Sequence, residues 1–155
     1  MEKNRKMKQA LLILLLFGLA GLSSCQQQFE PVDYGHDACT HCKMTIMDKR
    51  FAAEMITEKG RAYKFDDMAC LLQYMKEEHI NSVKTMIFVS DYSKPDNNFL
   101  DARQAVYLHN SDVFKTPMDG NLAAFATDGE ATPFKEHARN NQLKWQDLAS
   151  KLINQ

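Results

Sequence analysis

In RFAAEMIT, residues 50–57, apolar and less apolar positions alternate, with Phe51, Ala53, Met55 and Thr57 on one side, which is the period of a β-strand. Lys59-Gly60 supplies a turn and Ala62-Tyr63-Lys64-Phe65 a second strand, so the stretch predicts a hairpin. The period then lengthens. Met68, Leu71, Leu72 and Met75 fall at i, i+3, i+4 and i+7, the apolar stripe of an amphipathic helix running to about Glu78, and Asp66 or Asp67 stands where a cap belongs. Cys70 lies beside that stripe. Lys84 to Tyr92, KTMIFVSDY, is β-branched and aromatic enough for a buried strand, which completes a β-β-α-β unit.

The second half follows the same order. Asp101 to His109 reads as a strand, Asn121 to Thr127 as its hairpin partner, and Thr127 or Asp128 as the cap of a helix through about Arg139. Leu143 to Ile153 reads as a strand followed by a helix, or as a short helix around Trp145. The expected fold is α+β: two small related ββαβ lobes, about 38–95 and 96–155, packed together in one domain of residues 38–155. Identity between the halves is low, so this expectation rests on element order.

The start of the chain sets the compartment. Lys3, Arg5, Lys6 and Lys8 precede an apolar run from Ala10 to Leu22, which has the length of a signal-peptide core and is short for a membrane span. The run closes on Leu22-Ser23-Ser24-Cys25, which resembles the lipobox of bacterial lipoproteins. The expectation is a signal peptide over 1–24, lipidation at Cys25 and anchoring in the bacterial cell envelope, facing the periplasm or the cell exterior; acyl chains contribute about 0.8 kcal/mol per buried methylene to such an anchor. Residues 25–37, polar with Pro31 and Gly35, read as a lipidated tether. The whole chain carries a net charge of −1, and loss of the basic signal makes the remainder more acidic. No basic stripe is left to meet phosphates, which argues against nucleic acid as a partner.

Candidate chemistry concentrates in CTHCKMTIMD, residues 39–48, within a chain of four cysteines. Thiolate and thioether are soft donors and select Cu(I) over hard cations. In an extended segment Cys42 and Met44 would share a face and form the first-choice pair, with Cys39 folding back through the loop. His41, between the cysteines, is a further candidate. Met68, Met75, Met55 and Met86 sit in helix or strand patterns and read as core. Met44, Met47 and Met118 do not, and Met118, in the loop FKTPMDGN, is a candidate ligand from the second lobe.

Other readings compete. A structural zinc site wants four ligands, commonly from a second paired motif, and the chain has none. A thiol-disulfide oxidoreductase using Cys39 and Cys42 would place its CxxC at the start of a helix, whereas a strand pattern follows here. A structural disulfide would leave one of Cys39, Cys42 and Cys70 unpaired. No Ser/His/Asp arrangement or phosphate-binding glycine loop is present, so an enzyme is not expected.

The lipobox, the run Cys39-x-x-Cys42-x-Met44-x-Ile46 followed by Asp48 and RFAAEMI, the segment FDDMACLLQYM, and TPMDGNLAAFATDGEATPFKEH together resemble the NosL family of copper-binding lipoproteins. The resemblance spans about residues 36–150. It implies two related ββαβ lobes and a metallochaperone that holds Cu(I) for nitrous oxide reductase, passing it to the reductase or its maturation proteins. The family's cysteine and following methionine correspond to Cys42 and Met44, and its later Met-Gly methionine to Met118, here in Met118-Asp119-Gly120. Cys39 matches a cysteine found in some members, and Cys70 matches one in the FDD segment that reads as structural.

Overall fold

The hairpin expected from the alternation forms, but its first strand has no face open to water. In the computed structural model, which describes residues 28–96, 98–136 and 142–153, β1 (Ala53–Ile56) is buried at every position, Glu54 included. β2 (Ala62–Phe65) pairs with it antiparallel, Glu54 opposite Lys64, through a turn in which Gly60 adopts φ 79°. Helix α1 (Met68–Glu77) follows, capped by Asp67, and buries Met68, Cys70, Leu71 and Met75. β3 (Met86–Ser90) returns to pair with the other edge of β1.

The segment expected to be a tether through residue 37 is instead part of the folded body from residue 29 onward. Phe29 stacks on Phe88 and Phe99 with ring centroids 5.3 and 4.9 Å away. Glu30 donates its N–H to Glu54 Oε1 at 3.0 Å, and Val32 is buried. This strap covers the second face of the sheet, which is why β1 shows no exposed side. Polar composition hid it, because Phe29, Val32 and Tyr34 are too few to give a period.

The single strand expected over 101–109 is two. β4 (Phe99–Asp101) pairs with β3, and β5 (Val106–His109) opens the second sheet. Asp101 makes the break: its carboxylate accepts from Arg103 N–H at 2.8 Å and its carbonyl from Gln104 and Ala105, an Asx-type turn that competes with continued strand. The first sheet therefore runs on to Asp101, beyond the lobe boundary expected near 95.

β6 (Leu122–Phe125) pairs with β5, α2 (Asp128–Lys135) follows with Thr127 as its cap, and β7 (Gln142–Leu143) pairs with the other edge of β5. The expected extension of α2 toward Arg139 lies outside the described residues. α3 (Trp145–Ile153) closes the chain and packs on α1. The sheet orders, β2-β1-β3-β4 and β6-β5-β7, give the two halves the same ββαβ winding, with the first strand central in each. One core is shared by both lobes, running from Phe65, Leu71 and Met75 to Tyr107, Leu122 and Trp145; a second, aromatic one gathers Phe51, Phe114 and Phe125 around Tyr92. Among the described residues no helix is long and apolar enough to cross a membrane.

Candidate metal centre

The cysteine-methionine run is wound into a turn, not extended. Cys39 N–H donates to Met44 O at 2.8 Å and Lys43 N–H to Cys39 O at 3.0 Å, while Lys43 takes φ 68°. Thr40 N–H, bonded to Lys64 O at 2.7 Å, ties the turn to β2. On the other side the strap closes it, with Ile46 N–H on Asp37 O and Gly35 N–H on Ile46 O, both at 2.9 Å. The turn is thus fastened to β2 on one side and to the strap on the other.

Winding the run brings Cys39 and Cys42 together, and α1 brings a third thiol. Cys70 sits in the first turn of α1, its N–H 3.0 Å from Asp67 Oδ1. The Sγ atoms of Cys39, Cys42 and Cys70 all lie within 4.8 Å of one another, and none is in a disulfide. Cys39 and Cys70 are buried and Cys42 half-buried. Three metal–sulfur bonds of about 2.3 Å around one ion set the sulfurs about 4 Å apart, so the trio reaches that geometry by closing by less than about 1 Å.

Hydrogen bonding polarises the trio. Cys39 is held down to about 5 from an ordinary 9.0, chiefly by a hydrogen bond from the Cys70 thiol, with the backbone N–H groups of Asp66 and Cys42 also lowering it. Cys70 is pushed up, above all because its proton is held by Cys39, and Cys42 is raised by burial. The three thiols share these hydrogen bonds, so their titration belongs to the cluster as a whole. Asp66 is raised to about 6 by burial first and then by the Cys39 charge beside it.

The other residues singled out in the sequence take different places. His41 turns its Nδ1 toward Glu77 Oε2 at 3.5 Å and stands outside the thiol trio. Met55, Met68 and Met75 are core, whereas Met44, Met47 and Met118 expose 46, 68 and 40 % of their surface. Met118 lies far along the chain, yet its N–H donates to Asp67 Oδ2 at 3.0 Å, so its loop rests on the N-terminus of the helix that carries Cys70. Cys25 lies outside the described residues.

Sequence reasoning treated Cys70 as structural and so missed it as a member of the cluster. A thiol three residues past a capping aspartate, off the apolar stripe, is the signal that could have found it.

The NosL family profile matches residues 33–153. Among solved structures, the chain is similar to the crystal structure of the copper chaperone NosL from Shewanella denitrificans, with a TM-score of 0.66 and 20% identity over 79% of this chain and 96% of that one. No curated protein matches the chain. With the profile covering both lobes and the thiol turn, the chain belongs to the NosL family.

Proposed function

We propose that the protein is a lipid-anchored Cu(I) carrier that holds copper on the thiol trio and yields it by ligand exchange. The single observation behind this reading is the convergence of Cys39, Cys42 and Cys70 within 4.8 Å, two of them buried. Three soft sulfurs suit Cu(I), and hard cations gain little from them. Cys42, the most accessible of the three, and the exposed residues Met44 and Met118 would form the edge at which incoming ligands of a partner attack before the first ones leave.

The similar solved structure is that of a copper chaperone, which supports copper as the cargo. Delivery to nitrous oxide reductase or its maturation proteins, and anchoring through Cys25 in the cell envelope, follow from the family resemblance and the lipobox. A thiol-disulfide oxidoreductase is the less favoured reading: its CxxC would open a helix with an exposed nucleophile, whereas here it lies in a turn ahead of β1 and Cys39 is fully buried.

The test is an anaerobic titration of the reduced protein with Cu(I) against a chromogenic Cu(I) chelator, repeated with Zn(II) present. Copper held against the chelator and not displaced by zinc supports the carrier. Failure to compete, or ready displacement by zinc, removes it.

A further inference from the structure

The two lobes build the same corner differently. In each, a strand ends on phenylalanine, the cap follows two residues later and the helix begins on the next residue: Phe65, Asp67, Met68 in the first lobe and Phe125, Thr127, Asp128 in the second. Thr127, exposed, caps α2 with one oxygen, which accepts from Glu130 N–H at 3.2 Å. That is all an N-cap requires. Asp67 does the same for Cys70 with Oδ1, but it is a carboxylate buried to 1% exposure, and a buried charge is costly unless its hydrogen bonds repay the lost water. Its second oxygen, which Thr127 does not have, accepts from Met118 N–H across 51 residues of sequence.

The loop on the other side of this bond is prebuilt. Thr116 O accepts from Asp119 N–H at 3.2 Å, Thr116 Oγ1 from Asn121 N–H at 3.0 Å, and Asp119 O from the Asn121 side chain at 2.8 Å. Asp119 and Asn121 both take positive φ, 55° and 50°, so the turn is a specified shape and not a slack connection. At its far end Gly120 lies so close to α1 that a Cβ there would stand 2.7 Å from Ala69 Cβ. Its own φ is outside the left-handed region, so the glycine is required by the close approach and not by backbone conformation.

We propose that Asp67 is a positioning residue: with Gly120 against Ala69, it clips the Met118 loop of the second lobe onto the helix start that bears Cys70, and so fixes the Met118 thioether beside the thiol trio. The inference rests on the copper reading for its purpose, while the clip itself can be measured without copper. Asp67→Ser keeps one oxygen for the Cys70 cap and lacks the one that holds Met118. Gly120→Ala breaks the same contact from the other side, without touching the cap.

Amide exchange on the metal-free, full-length chain is the direct test. In both variants the Met118 amide exchanges at least about tenfold faster than in the wild type, while the Cys70 and Leu71 amides keep their protection. Unchanged Met118 exchange in both overturns the clip, and so does loss of Cys70 protection in both, which would mean that only the helix start had been damaged. A Cu(I) competition cycle tests the purpose. Asp67→Ser and Met118→Ala each weaken binding about tenfold, the range for groups that orient a ligand, and the double variant is no weaker than the worse single one. Multiplicative losses overturn the positioning role. A wild type that binds no Cu(I) would sink the copper reading and leave the exchange result standing by itself.

Discussion

Replacing Glu54 by glutamine separates the electrostatic cost of the buried strap from its packing. Glu54 lies at the centre of β1 with no exposed surface; Oε1 accepts from Glu30 N–H, and Oε2 has no hydrogen-bond partner among the described residues. Lys64, its cross-strand neighbour, directs its ammonium to Asp37 Oδ2 at 2.7 Å and Pro31 O at 2.9 Å. Burial pushes the Glu54 carboxyl up to about 7 from 4.5. Below pH 4.5 both folded and unfolded chains are protonated here and there is no penalty. Between 4.5 and 7 the unfolded chain binds fewer protons than the folded one, so stability falls as pH rises, and above 7 the loss is complete. At 1.36 kcal/mol per unit the full penalty is about 3 kcal/mol.

Glutamine keeps an oxygen for Glu30 and never ionises. In urea denaturation from pH 5 to 8.5, the stability of Glu54→Gln relative to the wild type is expected to climb by about 2–3 kcal/mol across that window. Asp66 and Cys39 also titrate in this range, but they are common to both proteins and cancel in the difference. Parallel curves for the two proteins would refute the reasoning and mean that water reaches Glu54 beneath the strap.

Three further outcomes are expected. Cys70→Ser weakens Cu(I) binding at least as much as Cys42→Ser in chelator competition; a normal affinity would show Cys70 to be structural only. Phe114→Ala, which empties the centre of the aromatic core around Tyr92 in the second lobe, costs about 3–5 kcal/mol in chemical denaturation and leaves Cu(I) affinity within about twofold when measured well below the transition. Cu(I) affinity rises with pH between 6 and 8, because thiols that still hold protons must lose them to bind; a flat profile in competition titrations would exclude Cys70 and Cys42 as thiolate ligands.

Local periodicity carried most of the fold. The hairpin at 53–65, the stripe of α1 and the ββαβ order of both halves were legible because the spacing of their apolar residues follows the period of each backbone. What failed depended on distance or on single side chains. The strap carries too few apolar residues to give a pattern, yet it buries β1 from behind. The division between β4 and β5 hangs on one aspartate turning the chain at Arg103.

At the site, Cys39, Cys42, Met44 and Met118 stood out by type and by lack of a core pattern. The grouping did not, because the turn at Lys43 replaces the extended course, and Cys70 enters through the packing of a helix that sequence spacing assigns to the core. The reach of the Met118 loop across 51 residues has no local signature at all.

The most direct test of copper on the thiol trio is X-ray absorption at the copper K-edge of the Cu(I)-loaded protein, compared with Cys70→Ser. Binding by Cys39, Cys42 and Cys70 gives a first shell made of sulfur at about 2.3 Å, and the substitution removes one sulfur from it. A shell containing nitrogen or oxygen in the wild type, or a spectrum that Cys70→Ser leaves unchanged, would contradict it.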